Sequence, residues 1–324
     1  QAKGQMAAIN SQLRSSSIIN AVSSEKLSEL PDVNVADAVG RLPGLMIQRD
    51  GGEGQKVVIR GLSPEFNTVS INGMNAPASG ETDRSTDLNM ISPDMIAGAE
   101  VYKANTADKD ADGIGGTVNL ILKEAPSGHR LSVNGETGYH TKINGIGRAK
   151  IGALYSNRFF NEKLGMIASA SYDNTDRSND DFGVSFNVSG DAPTPGYSYN
   201  RPTISSEKLQ ANQENRVRWN ANVNFDYDLG GGNKIKMSNI VSSLNRNRVI
   251  RSRNISLSSN QMTYSQQTVD NTTTNLSNVL EGIFHVSSST LNVGVGHSST
   301  WNRTPYSRIV SFYYEAPFAV SAGT

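Results

Sequence analysis

The side chains with chemical potential in this sequence are mostly carboxylates. Asp108-x-Asp110-x-Asp112-Gly113 copies the first half of a helix–loop–helix calcium loop, where alternate carboxylates and a glycine turn surround a hard cation. The twelfth position of such a loop should be a bidentate glutamate. Here it is Asn119, inside an aliphatic, β-branched run, and no flanking helices are evident. The segment therefore reads as a tight turn: Gly113, Gly115 and Gly116 admit left-handed backbone and close packing, and no metal is assigned. A second group, Asn75, Glu81, Asp83 and Arg84, lies in the polar stretch Met74–Asp87 and can hydrogen-bond a polar ligand. His129, His140, His285 and His297 are scattered, with no HExxH, and there is no GxSxG elbow, P-loop or GxGxxG after a strand. Nothing here points to an enzyme or to a cofactor.

The whole chain narrows the classes further. It has 324 residues, 36% of them hydrophobic, with 30 basic against 30 acidic side chains and no cysteine. Zero net charge gives no basic footprint for nucleic acid. Disulfides and cysteine metal sites are excluded. No run approaches the ~18 apolar residues of a membrane helix, but a membrane β-barrel escapes that rule, because only alternate residues face lipid.

These residues must be positioned by two different architectures. Residues 1–17 are polar and read as a flexible lead-in. Ile19 to Val22 suggest a strand, and Ser23-Ser24-Glu25 offer a cap for a helix through Leu30. Asn34 caps a second helix carrying Val35, Ala38, Val39 and Leu42, ended by Pro43-Gly44. Strands follow at 45–48, 57–61 and 69–71, the last turned by Asn72-Gly73. A short helix at 93–97 leads into a strand at 99–102, and another strand runs from Thr117 to Leu122. This is a small α/β domain.

From Arg130 the period changes to two. In the clearest run, Val217, Trp219, Ala221, Val223, Phe225, Tyr227 and Leu229 alternate with Arg218, Asn220, Asn222, Asn224, Asp226 and Asp228. Similar runs begin at Leu131, Ala149, Leu164, Lys234, Leu276 and Leu291, each of about ten residues, the length of a tilted transmembrane strand. Short links at 156–163, 230–233 and 287–290 contrast with long polar stretches at 174–216 and 245–274, which read as extended outer loops. On that count Tyr139, Tyr172, Trp219 and Trp301 fall near an outer rim, and Tyr155 and Tyr227 near an inner one, as aromatic girdles.

With those motifs in hand, the chain resembles a TonB-dependent outer-membrane receptor. LPDVNVADAVGRLPGLMIQRDGGEGQKVVIRGL resembles the family's plug opening. SINGMN matches its apical hairpin, where aspartate is commoner than Asn72. AEVYKANTADKDADGIGGTVNLILKEAP resembles the plug's exit into the barrel. The resemblance implies a plug domain at 18–124 inside the lumen of an antiparallel barrel of roughly 22 strands. Residues 125–324 would be the barrel's first part, and the chain a piece of a longer protein in the outer membrane of a Gram-negative bacterium.

That resemblance also implies a function. It is active import of a scarce polar nutrient, a glycan, siderophore or similar ligand, driven by the TonB complex of the inner membrane. Arg60 matches a plug arginine that pairs with barrel glutamates, and is expected to be buried against the polar inner wall. Lys103 stands where the family often has a second arginine. The Met74–Asp87 loop would face the ligand. The partners implied are the TonB complex, outer-membrane lipid and the ligand, with a surface lipoprotein lid in glycan-uptake systems. The alternatives are a passive porin and a structural or docking barrel.

Overall fold

The change of period at Arg130 separates two sheets. The computed structural model describes residues 19–23, 34–79, 83–104, 112–187 and 203–315. The N-terminal domain contains β1 (Ile19–Ser23), α1 (Val35–Val39), β2 (Leu45–Asp50), β3 (Glu53–Ile59), β4 (Asn67–Ile71), β5 (Met74–Asn75), β6 (Ile96–Tyr102) and β7 (Gly116–Leu122). One sheet runs in the order β1-β6-β7-β4-β5, with only β4 and β7 parallel, and β2–β3 form a separate hairpin. The core is apolar: Ile59, Leu88, Ile96, Val101, Val118 and Leu120 are fully or almost fully buried, and Val35, Ala36 and Val39 of α1 close over them.

Local chemistry explains these elements. The Asn34 side chain accepts from the Asp37 amide at 3.0 Å and so caps α1. Asn72 and Gly73 both have positive φ, 49° and 81°, as a two-residue primed turn requires. The Asn72 carbonyl oxygen accepts from the Leu122 amide and its amide donates to Ser238 across the domain boundary, a donor that an aspartate would lack.

The second sheet is antiparallel throughout: β8 (Arg130–His140), β9 (Gly145–Phe159), β10 (Leu164–Asp176), β11 (Asn179–Asn187), β12 (Thr203–Gly230), β13 (Asn233–Ser256), β14 (Gln261–Val286) and β15 (Ser289–Glu315). The order is β15-β14-β13-β12-β10-β9-β8, with β11 pairing the first half of β12 where β10 has ended. Turns at Phe160–Lys163, Gly231–Gly232 and Ser287–Ser288 lie together at one end.

Burial in this sheet is inverted. On β12 the polar residues Arg218, Asn220, Asn222, Asn224 and Asp226 are only 4–7% exposed, while Trp219, Tyr227 and Leu229 are 40–48% exposed. The same holds for Ser238 and Ser242 against Ile235 and Met237 on β13. The N-terminal domain packs against the polar face: Met90 meets Asn275, Asp94 meets Lys150, and the Ser298 hydroxyl donates to the Asn75 carbonyl. No helix among the described residues is long and apolar enough to cross a membrane.

Two expectations are corrected. The polar stretches 174–216 and 245–274 are not loops: β11 and the outer halves of β12 to β14 occupy most of them, and β12 to β15 run to 24–28 residues instead of about ten. Past the apolar band both faces of a strand meet water, so apolar alternation fades while the hydrogen-bonded ladder continues. The close packing expected at the glycines is within the N-terminal domain itself. Gly116 has φ +146°, and a Cβ there would stand 2.5 Å from the Tyr102 carbonyl oxygen. The expected helix at 24–30 lies outside the described residues, as do the lead-in 1–17, Glu81, Asp108 and Asp110.

Candidate functional site

The two units are joined by a buried ion network. The β2–β3 turn carries Asp50 and Glu53 to the polar face of β12, where even-numbered residues point inward. The Arg216 guanidinium donates to Glu53 Oε2 at 2.7 Å, to Asp50 Oδ2 at 3.1 Å and to Glu214 Oε1 at 2.7 Å. Arg218 donates to the same Glu53 oxygen, and Arg177 lies 3.7 Å from its other oxygen. Arg246 of β13 reaches Asp50 Oδ2 at 2.6 Å and Glu214 Oε1 at 2.8 Å. The side chains of Arg216 and Glu53 are completely shielded from solvent. Ion pairs continue across the sheet through Asp173 and Arg148 to Glu136.

The sign of this network matters. The wall supplies Arg148, Arg177, Arg216, Arg218 and Arg246 against Glu136, Asp173 and Glu214, an excess of two positive charges (5 − 3). Asp50 and Glu53 of the N-terminal domain supply the missing two negative charges. Buried guanidinium groups without carboxylates are costly, so the wall holds this hairpin by its own charge imbalance.

A second junction lies where the chain leaves the N-terminal domain. Lys236 pairs with Glu124 at 2.7 Å, Asn224 donates to the Lys123 carbonyl, and Arg158 donates to the Ala125 carbonyl at 3.0 Å while holding Asp226. This cluster sits beside the short turns, at the opposite end from the Glu53 network along β12. A third contact is Asp94 with Lys150 at 2.9 Å. Burial alone would raise the Asp94 pKa, but Lys150 and the Ser92 hydroxyl outweigh it and hold the carboxyl below its ordinary range.

The residues picked out from sequence fall as follows. Arg60 is exposed, at φ 55° just past the end of β3, and does not meet the described wall. Its expected barrel glutamates are not met among the described residues. The inter-unit ion pairs run the other way, with carboxylates on the N-terminal domain and arginines on the strands. Lys103 folds its ammonium over Gly44 of its own domain. Asn75, Asp83 and Arg84 share a cavity of about 830 Å³ with Asp112, Thr68 and Thr86. In it Asp83 is fixed by Lys56 at 2.8 Å and by Ser85. Slight burial is outweighed by those partners, so its carboxyl stays below the usual range. Arg84 is exposed, 3.9 Å from Asp112. Gly113, Gly115 and Gly116 are buried behind that cavity.

The six aromatics are on the outward face. Tyr139, Tyr172, Trp219, Tyr227 and Trp301 are 40–67% exposed, and Tyr155 is half-buried with its ring edge-on to His129. Tyr172 and Trp219 are directly paired, and the row continues through Ser243 and Thr274 to Trp301. Eight residues separate Trp219 from Tyr227. At ~3.3 Å per residue and a ~40° tilt they stand roughly 20 Å apart in height, close to the apolar band of a barrel.

Sequence reading missed Asp50, Glu53, Glu214, Arg216, Arg218 and Arg246. A signal existed on the wall side: Arg218 occupies an inward position of the best alternating run, where a charge needs a partner, and Arg216 continues that parity just before it. Nothing local pointed to Glu53, which sits in a turn-rich segment 163 residues from Arg216.

Known proteins place both units. Residues 11–117 match the model of the TonB-dependent Receptor Plug Domain family. Two solved variants of the ferric enterobactin receptor from Pseudomonas aeruginosa, each in complex with enterobactin, are similar in structure. One gives a TM-score of 0.53 at 14% identity over 88% of this chain and 49% of the receptor. The other gives 0.51 at 13% identity over 89% and 50%. At such identity the likeness speaks for the fold alone. The chain spans about half the length of these receptors.

Proposed function

The chain carries the plug domain of TonB-dependent receptors over residues 11–117, followed by antiparallel strands that resemble the barrels of those receptors, and from that premise we propose that it serves TonB-dependent import of a scarce polar nutrient across the Gram-negative outer membrane. The observation that carries this reading is Glu53, a plug carboxylate buried between Arg216 and Arg218 of the barrel wall. It supports a plug that is a separate body held by charge against the wall, and such a body can be released.

In this reading the ligand, a glycan, iron chelate or similar polar molecule, binds the outer strands and the plug cavity bearing Asn75, Asp83 and Arg84. Glu81, outside the described residues, belongs to the same loop. Binding shifts the plug's N-terminal segment toward the periplasm by favouring one of two plug positions. The TonB complex then pulls on that segment. Arg60 and Lys103 are left for strands that complete the barrel. The aromatics form the membrane girdles, and a surface lipoprotein is a further partner where the ligand is a glycan. No bond of the ligand is broken.

The test is made on the full-length receptor. Deleting the segment N-terminal to the plug should abolish energy-dependent uptake while leaving an occluded pore in planar bilayers. Undiminished uptake, or a steady large conductance in the intact receptor, would sink the reading.

A further inference from the structure

The outward face of the wall does not end at its aromatic rim. Following the strand register beyond Trp219, Phe182, Leu209, Arg253, Tyr264 and Phe312 form one transverse row across β11 to β15. Leu209 has the parity of Trp219 on β12, so the row stands on the lipid-facing side and not on the lumen side. It lies ten residues past Trp219, ~33 Å along the strand and roughly 25 Å above the rim at a ~40° tilt. The next row toward the membrane holds Ala211, Arg251, Gln266 and Val310. A cavity of about 890 Å³ opens over these two rows.

Its chemistry is specific. Tyr264 and Phe312 stack at 5.2 Å between centroids with 16° between planes, and Phe312 and Phe182 are 63% and 61% exposed. Three guanidinium groups line the same cavity. Arg251 is held only by neutral amides, Gln213 at 2.9 Å and Gln266 at 3.2 Å. The Nε of Arg253 is shielded from solvent and has no hydrogen-bond partner. Arg308 is exposed. Of the two nearby acids, Asp180 is taken by Lys142 at 2.6 Å, and Asp181 holds the alternate position of β11, on the other face of the sheet. Arginine forks bind phosphate oxygens, and flat rings cover the apolar faces of sugars.

We propose that this cavity binds the phosphorylated sugar headgroup of an outer-leaflet glycolipid. Two features choose that occupant: the cavity stands on the outward face above the aromatic rim, at the height of a glycolipid's sugar headgroup, and its charge complements phosphate. A transported ligand would approach the opposite face, where Arg246 and Arg248 stand. The proposal rests on the outer-membrane reading above.

The experiment uses the detergent-purified full-length receptor, titrated with lipopolysaccharide bearing a phosphorylated core, with the same glycolipid after dephosphorylation, with phosphatidylglycerol vesicles and with inorganic phosphate. The variant is R251Q/R253Q/R308Q, and heat-shifted gel mobility checks that its barrel is folded. The wild type should bind the phosphorylated glycolipid about tenfold more tightly than the triple variant, and more tightly than it binds the other three probes. F182S/F312S should weaken binding without altering its salt dependence. If the triple variant misfolds, R308Q alone, at an exposed position, should still weaken binding about threefold. Equal binding by wild type and variants, or equal binding of phosphatidylglycerol or inorganic phosphate, overturns the proposal. Fractionation separates the two readings: a receptor absent from the outer membrane fails the location, whereas one present there with unchanged variant binding fails only this site.

Discussion

Leu120 and Leu280 are the same side chain on two β-strands, yet one is completely buried and the other 47% exposed. Asn222, an amide, is buried at 4% on the wall that leaves Leu280 outside. The plug obeys the rule of a domain surrounded by water: apolar surface is withdrawn, and α1, β4, β6 and β7 close on it. The wall obeys the opposite rule, polar toward the plug and apolar outward, as the proposed membrane setting requires of it. Ile240 marks the seam: it is an inward-facing wall residue, and it joins the plug's apolar core. Burial in this chain follows the neighbouring medium, and the ion network exists because the wall's inner face is too polar to hold the plug by apolar contact.

The largest test of that contrast is Glu53→Gln. It leaves Arg216 and Arg218 buried with one carboxylate fewer, and plug docking should weaken by about 3–5 kcal/mol. In the full-length receptor, the β2–β3 hairpin should exchange its amide hydrogens at lower urea concentration, while the barrel's heat-shifted mobility is unchanged. Replacing one pair with apolar residues, E53L/R218L, should recover most of the loss, since it removes one charge of each sign and leaves Arg216 to Asp50 and Glu214. A hairpin equally protected in Glu53→Gln would show that the network does not hold the plug.

A smaller effect is expected on the wall itself. Val223 lies midway between Trp219 and Tyr227 on the outward face, so Val223→Arg should cost about 2–4 kcal/mol of folding into bilayers. The neighbouring Asn224→Gln keeps an amide on the inward polar face and should cost less, about 1 kcal/mol. Urea titration of the folded fraction, read from gel mobility, separates the two. Equal costs would mean that the two faces of β12 meet similar surroundings.

Much of this was legible because two media leave two periods. Trp219 to Leu229 shows a lipid-facing strand at sight, and Asn34 and Asn72-Gly73 announce a cap and a turn through local hydrogen bonding. The outer halves of β12 to β15 were not legible, since residues such as Ser252, Asn254 and Ser265 are polar on both faces and look like loop. Arg60 was placed by resemblance, and the structure leaves it exposed. The Glu53–Arg216 lock was invisible for another reason: register sets which wall side chain meets the plug, and no single segment encodes a contact between residues 163 positions apart.

Protonation gives the finest comparison, between two corners of the plug. Asp94 has a pKa below its ordinary 3.8: burial pushes it up, but Lys150 on β9 and Ser92 more than offset that. A carboxylate with a depressed folded pKa contributes its stabilisation in full above the unfolded value, and loses it as pH falls through the folded one. Asp87 is the reverse. Burial raises its pKa despite Gln55 and Lys56, so its corner is most favourable when protonated and loses that advantage as pH rises through the raised value. Acidification from pH 7 should therefore first tighten residues 86–92, and then, below about 3.8, loosen 93–104 where Asp94 holds the wall. Residues 83–85 loosen with the latter, since slight burial is outweighed by Lys56 and Ser85, which hold Asp83 low as well. Hydrogen exchange corrected for intrinsic rates would show 86–92 and 93–104 moving in opposite directions. Asp94→Asn should remove the low-pH loosening of 93–104 and leave the response of 86–92 intact. If both segments loosen together in that variant, the acid response belongs to the whole plug and not to the Asp94–Lys150 contact.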